Sequence, residues 1–156
     1  TLRESIIQIL VRLHPRKIVI VSSAPQIRYP DFYGIDMSRI GEFIAFQAAV
    51  ALIEERAMHS LLDEVYEECK GNESGNPVRR IYEPFTADEL NLKMVELLQP
   101  ATVQTPIELV FQSLEGLHEA IPNHPGDWYF SGKYPTPGGE RLCRISYTQW
   151  YEARKN

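Results

Sequence analysis

Apolar residues at Leu2, Ile6, Ile9, Leu10 and Leu13 recur at helical spacing, so a one-sided helix is expected over residues 2–13. His14 complements the negative end of its dipole, and Pro15 stops it. Ile18, Val19, Ile20 and Val21 follow as a β-branched run with no polar alternation. Such a run, bounded by turn signals, reads as a buried strand of a parallel sheet. Ser38 is the expected N-cap of a helix whose face carries Ile40, Phe43, Ile44, Ala48, Ala51 and Leu52 as far as about Arg56. A further helix runs from Met58 through Leu61, Leu62, Val65 and Cys69, with Asp63, Glu64, Glu67 and Glu68 on a solvated face. Residues 71–77, GNESGNP, form a loop expected to be mobile.

Thr86 and Glu89 have capping-box spacing, and Phe85 against Leu90 completes a hydrophobic staple. The helix they start passes Met94, Leu97 and Leu98 and ends before Pro100. Thr86 and Glu89 thus have a structural role and are assigned no chemistry. Residues 107–111 read as a second strand, and Ser113 caps a short helix bearing Leu114, Leu117 and Ile121. Trp128, Tyr129 and Phe130 read as a short aromatic strand, with turns at Ser131-Gly132 and at residues 135–139. The tail, residues 145–156, is expected to be a final helix with a frayed end, carrying Tyr147, Trp150 and Tyr151. Helices alternating with strands in this order define an α/β fold, a parallel sheet flanked by helices.

Composition narrows the picture. A chain of 156 residues, 44% hydrophobic and 24% charged, suits one globular domain or a large piece of a bigger one. Its start at Thr1, directly on a helical pattern, points to a piece of a longer chain. A formal charge of −5 disfavours nucleic acid as a partner, and Arg79-Arg80 reads as a solvated pair. Cys69 and Cys143 lie far apart without a CxxC, which fits a reducing compartment and offers no zinc site. No apolar run approaches the ~20 residues that span a bilayer, and no signal-peptide pattern is present. The expected location is cytoplasmic, with no membrane partner.

The four histidines are scattered without the spacing of a helical metal pair, and no phosphate-binding glycine motif occurs. The informative stretch is the loop after the first strand, residues 22–38. It lies where α/β sheets place their ligands, beyond a strand's carboxyl end. Pro25 and Pro30 shape its path. Phe32 and Tyr33 stand beside Gly34, which lets backbone approach a flat ligand, although such aromatics also serve as core. Asp36 can cap a helix or bond a sugar hydroxyl.

That loop, SSAPQIRYPDFYGIDM followed by EFIA, resembles the segment after the phosphoribosyl-diphosphate (PRPP) loop of the amidophosphoribosyltransferase family. The match rests on Ser23, Ala24, Pro25, Ile27, Arg28, Tyr29, Pro30, Tyr33, Gly34, Ile35, Asp36, Glu42, Ile44 and Ala45. The FQSLEGL block at 111–117 and the FSGKYP block at 130–135 resemble two further family motifs. The likeness covers residues 1 to about 56 and about 107 to 139. Residues 57–106 stand outside it, as a helical insertion, and residues 140–156 form an unassigned tail.

The resemblance implies the C-terminal part of a type I phosphoribosyltransferase fold. It implies transfer of glutamine-derived ammonia to PRPP, giving 5-phosphoribosylamine in purine biosynthesis. On this chain it places Thr1 at the end of the PRPP loop. Phe32, Tyr33 and Asp36 fall beside the acceptor or an inhibitory purine nucleotide, and Phe43 and Tyr134 near the ammonia channel. No catalytic residue and no metal ligand falls on the chain. Mg2+ is expected on residues outside it, and the isolated piece is expected to be inactive. A homo-oligomeric parent is also implied. Some members carry an iron–sulfur cluster on cysteines just before FYGID or just before GKYP. Those places hold Asp31 and the run 124–129, which has no thiol, so no cluster is expected. Two other readings stand beside this one. One is a non-catalytic nucleotide-binding or regulatory domain on the same scaffold. The other, disfavoured by EFIA and FQSLEGL, is a purine salvage transferase.

Overall fold

Described in the computed structural model are residues 5–32, 37–71, 74–124 and 126–155. The fold is mixed α/β, in the order α1 (Ile7–Val11), β1 (Ile18–Ser22), α2 (Ile44–Glu55), α3 (His59–Gly71), α4 (Ala87–Leu98), β2 (Ile107–Phe111), α5 (Leu114–Ala120), α6 (Trp128–Ser131) and α7 (Pro137–Lys155). Short 3-10 turns occupy Ile40–Glu42 and Pro77–Ile81.

The two strands pair in parallel, from Ile18 opposite Ile107 to Ser22 opposite Phe111, as their apolar runs predict. The expectation of burial on both faces is not met. Ile18, Ile107 and Leu109 are buried, but Val19 and Val21 are 49% and 70% exposed. With two strands described, α4 and the main core cover one face only. A similar correction applies to α1. Ile7, fully buried, packs with Ile18, Val103 and Ile107, while the expected face of Ile6, Ile9, Leu10 and Leu13 is exposed. Leu2 lies outside the described residues.

The α2 helix begins later than its expected cap at Ser38. The 3-10 turn intervenes, and extended Phe43 becomes the N-cap without a side-chain bond. Ser146 of α7 does the capping work from a distance. Its hydroxyl donates to the Ser38 carbonyl at 2.7 Å and accepts from the Ile40 N–H at 2.8 Å. Alanines 45, 48 and 49 keep α2 slim where it packs on α4. The acidic face of α3 is not merely solvated. Glu64 and Glu68 clasp Arg80, which is therefore paired.

The start of α4 matches its sequence signature. The Thr86 hydroxyl accepts from the Glu89 N–H at 3.2 Å, and the Glu89 carboxylate accepts from the Thr86 N–H at 2.8 Å. Hydrogen bonds from Arg56 and then Thr86 hold the Glu89 carboxyl down to about 2.

Two expectations near the C-terminus fail for local reasons. The aromatic segment is the helical turn α6, because the Asp127 carbonyl accepts from the N–H groups of Phe130 and Ser131. Gly132, at φ 69°, closes that turn in the left-handed region. Residues 135–139 are not a free turn. Pro137 opens α7, where its missing N–H does no harm, and the Thr136 hydroxyl accepts from the Gly139 N–H at 3.3 Å.

The supposed tail is thus the second half of a 19-residue core helix. Tyr147 is fully buried and donates to the Leu62 carbonyl at 2.9 Å. Near the helix end Arg154 pairs with Glu54 at 2.9 Å, and residue 156 lies outside the described residues. The same helix holds Gly75 of the loop expected to be mobile, residues 72–73 of which lie outside the described residues. Glu140 accepts from the Gly75 N–H at 2.6 Å, and Arg144 donates to the Gly75 carbonyl at 2.5 Å. Residues 57–106 supply Leu62, Val65, Val78, Ile81, Leu90 and Met94 to the core shared with α2 and α7. Among the described residues, no helix is long and apolar enough to cross a membrane.

Candidate functional site

The carboxyl ends of both strands lie together at Ser22 and Phe111. From Ser22 the chain turns on its own hydroxyl, which donates to the Ala24 carbonyl at 3.0 Å. Pro25 and Gln26 are then buried. The Gln26 amide donates to Asn91 Oδ1 at 2.6 Å and to the Ala87 carbonyl at 3.3 Å, anchoring the loop to the first turns of α4. Its oxygen accepts from Arg28 Nη2 at 2.7 Å and Nε at 3.1 Å. The Arg28 guanidinium lies 5.3 Å from the centre of the Tyr82 ring, and the Tyr82 hydroxyl donates to the Arg28 carbonyl at 2.7 Å. Burial drives the Tyr82 phenol well above its ordinary value, so it stays a neutral donor.

Beyond Arg28 the loop is held as firmly. The N–H groups of Arg28 and Tyr29 both donate to the Tyr129 carbonyl. Asp31 is 6% exposed; its carboxylate accepts from the Phe32 N–H at 2.6 Å and from Trp128 Nε1 at 2.5 Å. A buried carboxylate needs such donors, because an unpaired one would face a large desolvation penalty.

Two crevices flank this wall. One, of about 450 Å³, is apolar and lined by Ile20, Met37, Phe43, Met94 and Leu109 among others. The other, of about 470 Å³, is polar and lined by Gln26, Arg28, Asp88, Asn91, Gln112 and Ser113 among others. Neither has a histidine or cysteine among its described lining residues. The lining of the first suits a small apolar or neutral ligand, and that of the second suits hydrogen bonding.

Of the residues singled out from sequence, Phe43 lines the apolar crevice and is 9% exposed. Phe32 is 67% exposed and lines neither crevice. Tyr134 lies elsewhere on the wall. Its hydroxyl donates to the Pro30 carbonyl, and its ring packs so tightly on Gly139 that a Cβ there has no room. Burial, helped by Cys143, pushes its phenol far up. Thr1, Tyr33 and Asp36 lie outside the described residues. Sequence reasoning missed the roles of Gln26, Arg28 and Asp31; the only signal was two polar side chains between Pro25 and Pro30 and a third just after them.

The places where a cluster would need thiolates hold Asp31 and the run 124–129, and within that run Trp128 donates its indole N–H to the Asp31 carboxylate. Both cysteines are buried, and burial raises Cys69 to about 12 and Cys143 further. This donor set does not fit an iron–sulfur group. Among the described residues no group of three or more His, Cys, Asp or Glu side chains could hold a metal ion. Comparison with protein-family models, curated proteins and solved structures finds no match to this chain.

Proposed function

We propose that the chain is the C-terminal, acceptor-side part of an amidophosphoribosyltransferase-like enzyme. That enzyme transfers glutamine-derived ammonia to PRPP, displacing pyrophosphate from C1. The observation that carries the reading is the position of the motif-bearing loop. The loop leaves β1 at the carboxyl edge of a parallel sheet, and its Ser22, Ala24, Pro25, Gln26 and Ile27 wall an apolar crevice together with Phe43. A ligand is expected at that edge on general grounds. An apolar lining favours passage of neutral ammonia, since it withholds the water that would protonate it. The bare sheet face at Val19 and Val21 also supports a larger parent fold, because parallel sheets are normally covered on both faces.

In this reading Tyr33 and Asp36 face the ribose or an inhibitory purine nucleotide. Charge on the departing pyrophosphate is met by Mg2+ held on residues outside the chain. The test is ammonia-dependent pyrophosphate release from PRPP by the intact protein. Activity is expected, and Asp36→Ala should lower kcat/KM by roughly tenfold, the loss of one hydrogen-bonded contact. Phe43→Ala should depress the glutamine-dependent rate more than the ammonia-dependent rate, which serves as the folding control. No release of pyrophosphate would overturn the assignment, and unchanged kinetics in the Asp36 variant would remove that residue from the site. The alternative of a non-catalytic nucleotide-binding domain would show itself as purine nucleotide binding without turnover.

A further inference from the structure

On the α6 side of Arg28 lies a third crevice, of about 340 Å³, with a different lining. Arg28, Arg79 and Lys133 supply three permanent cations to it, and Tyr82, Phe85 and Phe130 supply aromatic rings. These cations come from three separate segments: the loop after β1, the Pro77–Ile81 turn and the stretch after α6. Gly132 makes their convergence possible. Its left-handed backbone, and the absence of a Cβ, let Tyr29, Asn76 and the Arg79 stem close against it, and the Asn76 amide donates to its carbonyl at 3.0 Å.

No carboxylate among the described residues neutralises this group. Arg80, beside Arg79 in sequence, is by contrast matched by Glu64 and Glu68, and Lys93 by Glu55 and Glu96. Among the described residues, none of Arg28, Arg79 and Lys133 has a carboxylate within ion-pair distance. Arg28 is instead oriented by the neutral amide of Gln26, itself 5% exposed, and by the Tyr82 ring. A guanidinium fixed by neutral partners keeps its charge available and loses little entropy on meeting an anion. Two carboxylates also line the crevice. Asp127 is already engaged, accepting from Ser131 Oγ at 2.9 Å and lying 2.9 Å from His118 Nε2. Glu83 is exposed, and the three cations outnumber the two carboxylates.

The geometry points to an anion site for the phosphoryl group of a small phosphate monoester whose organic part lies against the aromatic rings. A planar guanidinium suits a phosphate's bidentate geometry, and Arg79 and Lys133 add charge from the other two segments. Nothing in this inference depends on the transferase reading, since the pocket, its cations and its rings stand on their own.

The experiment is titration of the intact protein with phenyl phosphate and with inorganic phosphate, followed by NMR at the Arg28 Nε–Hε resonance and the Gly132 and Lys133 amides. Phenyl phosphate avoids the ribose and purine features that a transferase site would recognise. Saturable shifts at these resonances are expected, with phenyl phosphate binding more tightly than inorganic phosphate. Arg79 and Lys133 are exposed, so the double variant Arg79→Gln, Lys133→Gln is expected to keep the fold, which its amide spectrum checks. It should weaken binding by roughly tenfold or more, as loss of charge-assisted contacts implies. Gln26→Leu, which frees Arg28 from its orienting partner, should weaken binding while leaving all three charges in place. Shifts that fail to saturate, or an affinity unchanged in the double variant, would overturn the site.

Discussion

Ile20 and Leu109 on one face of the short sheet pack against the main core beneath α4. On the opposite face Val19, Val21 and Val110 stand 49%, 70% and 39% exposed. The valines are nearly as apolar as Ile20 and Leu109 and alternate with them along the same strands, although Glu108, opposite Val19 on the bare face, pairs there with Lys17. The difference lies in what the helices between the strands can reach. The α2 and α4 helices, with α3 and α7 behind them, all build one core, and α1 caps only the amino ends through Ile7, Ile18, Val103 and Ile107. A parallel sheet buried on one side is therefore the pattern to be tested.

The largest effect is expected at the covered face. Leu109→Ala removes a side chain that is 8% exposed and leaves a cavity beside Met94 and Phe43, lowering stability by about 3 kcal/mol. Denaturant unfolding measures this directly. A loss below about 1 kcal/mol would mean that α4 does not seal the face, and the contrast between the faces would vanish.

A smaller effect is expected in the cover itself. Thr86→Ala removes the N-cap of α4 and should lower stability by about 1 kcal/mol. Its partner Glu89 adds a pH signature. The folded carboxyl is held at about 2, below its ordinary value, by Arg56 and Thr86. Its stabilisation is therefore present above about pH 4.5 and is lost as pH falls toward 2. Glu89→Gln should flatten the stability profile across that acid window and leave its shape near neutrality unchanged. A profile as steep as that of the parent protein would place the acid sensitivity elsewhere.

The contrast between the faces also marks where sequence was informative. Strand positions and parallel pairing were legible because four consecutive β-branched residues leave little else to form. The α4 start was equally legible, because a capping box is local and Thr86 and Glu89 need only each other. What failed was long-range. Ser38 reads as a cap, yet Ser146, 108 positions away from Ser38 in sequence, binds its carbonyl. Residues 135–139 look like a turn by composition, yet Pro137 at a first helical position begins the longest helix. At the candidate site, helical spacing does not place Phe43, which is the extended N-cap of α2 and not part of its face. Nor could the Gln26–Arg28–Tyr82 arrangement be placed, because Tyr82 lies 54 positions from Arg28 and only the folded chain joins them.

The smallest expected effect is the most discriminating. Val21→Ser on the bare face should change the stability of this chain by no more than about 0.5 kcal/mol, the range of exposed substitutions. Serine has a lower strand propensity than valine, which sets a small destabilising baseline within that range. Val19→Ser should behave alike, and the pair should add, since neither opens a cavity. Under the transferase proposal the same substitution in the intact protein meets a covered face. There the buried valine would be replaced by a hydroxyl with no assured partner, and the loss should rise to about 2 kcal/mol. Unfolding measured on both forms therefore separates the alternatives: equal, small losses mean that the face stays bare, and a loss confined to the intact protein means that a second layer of the sheet's own fold closes over Val21.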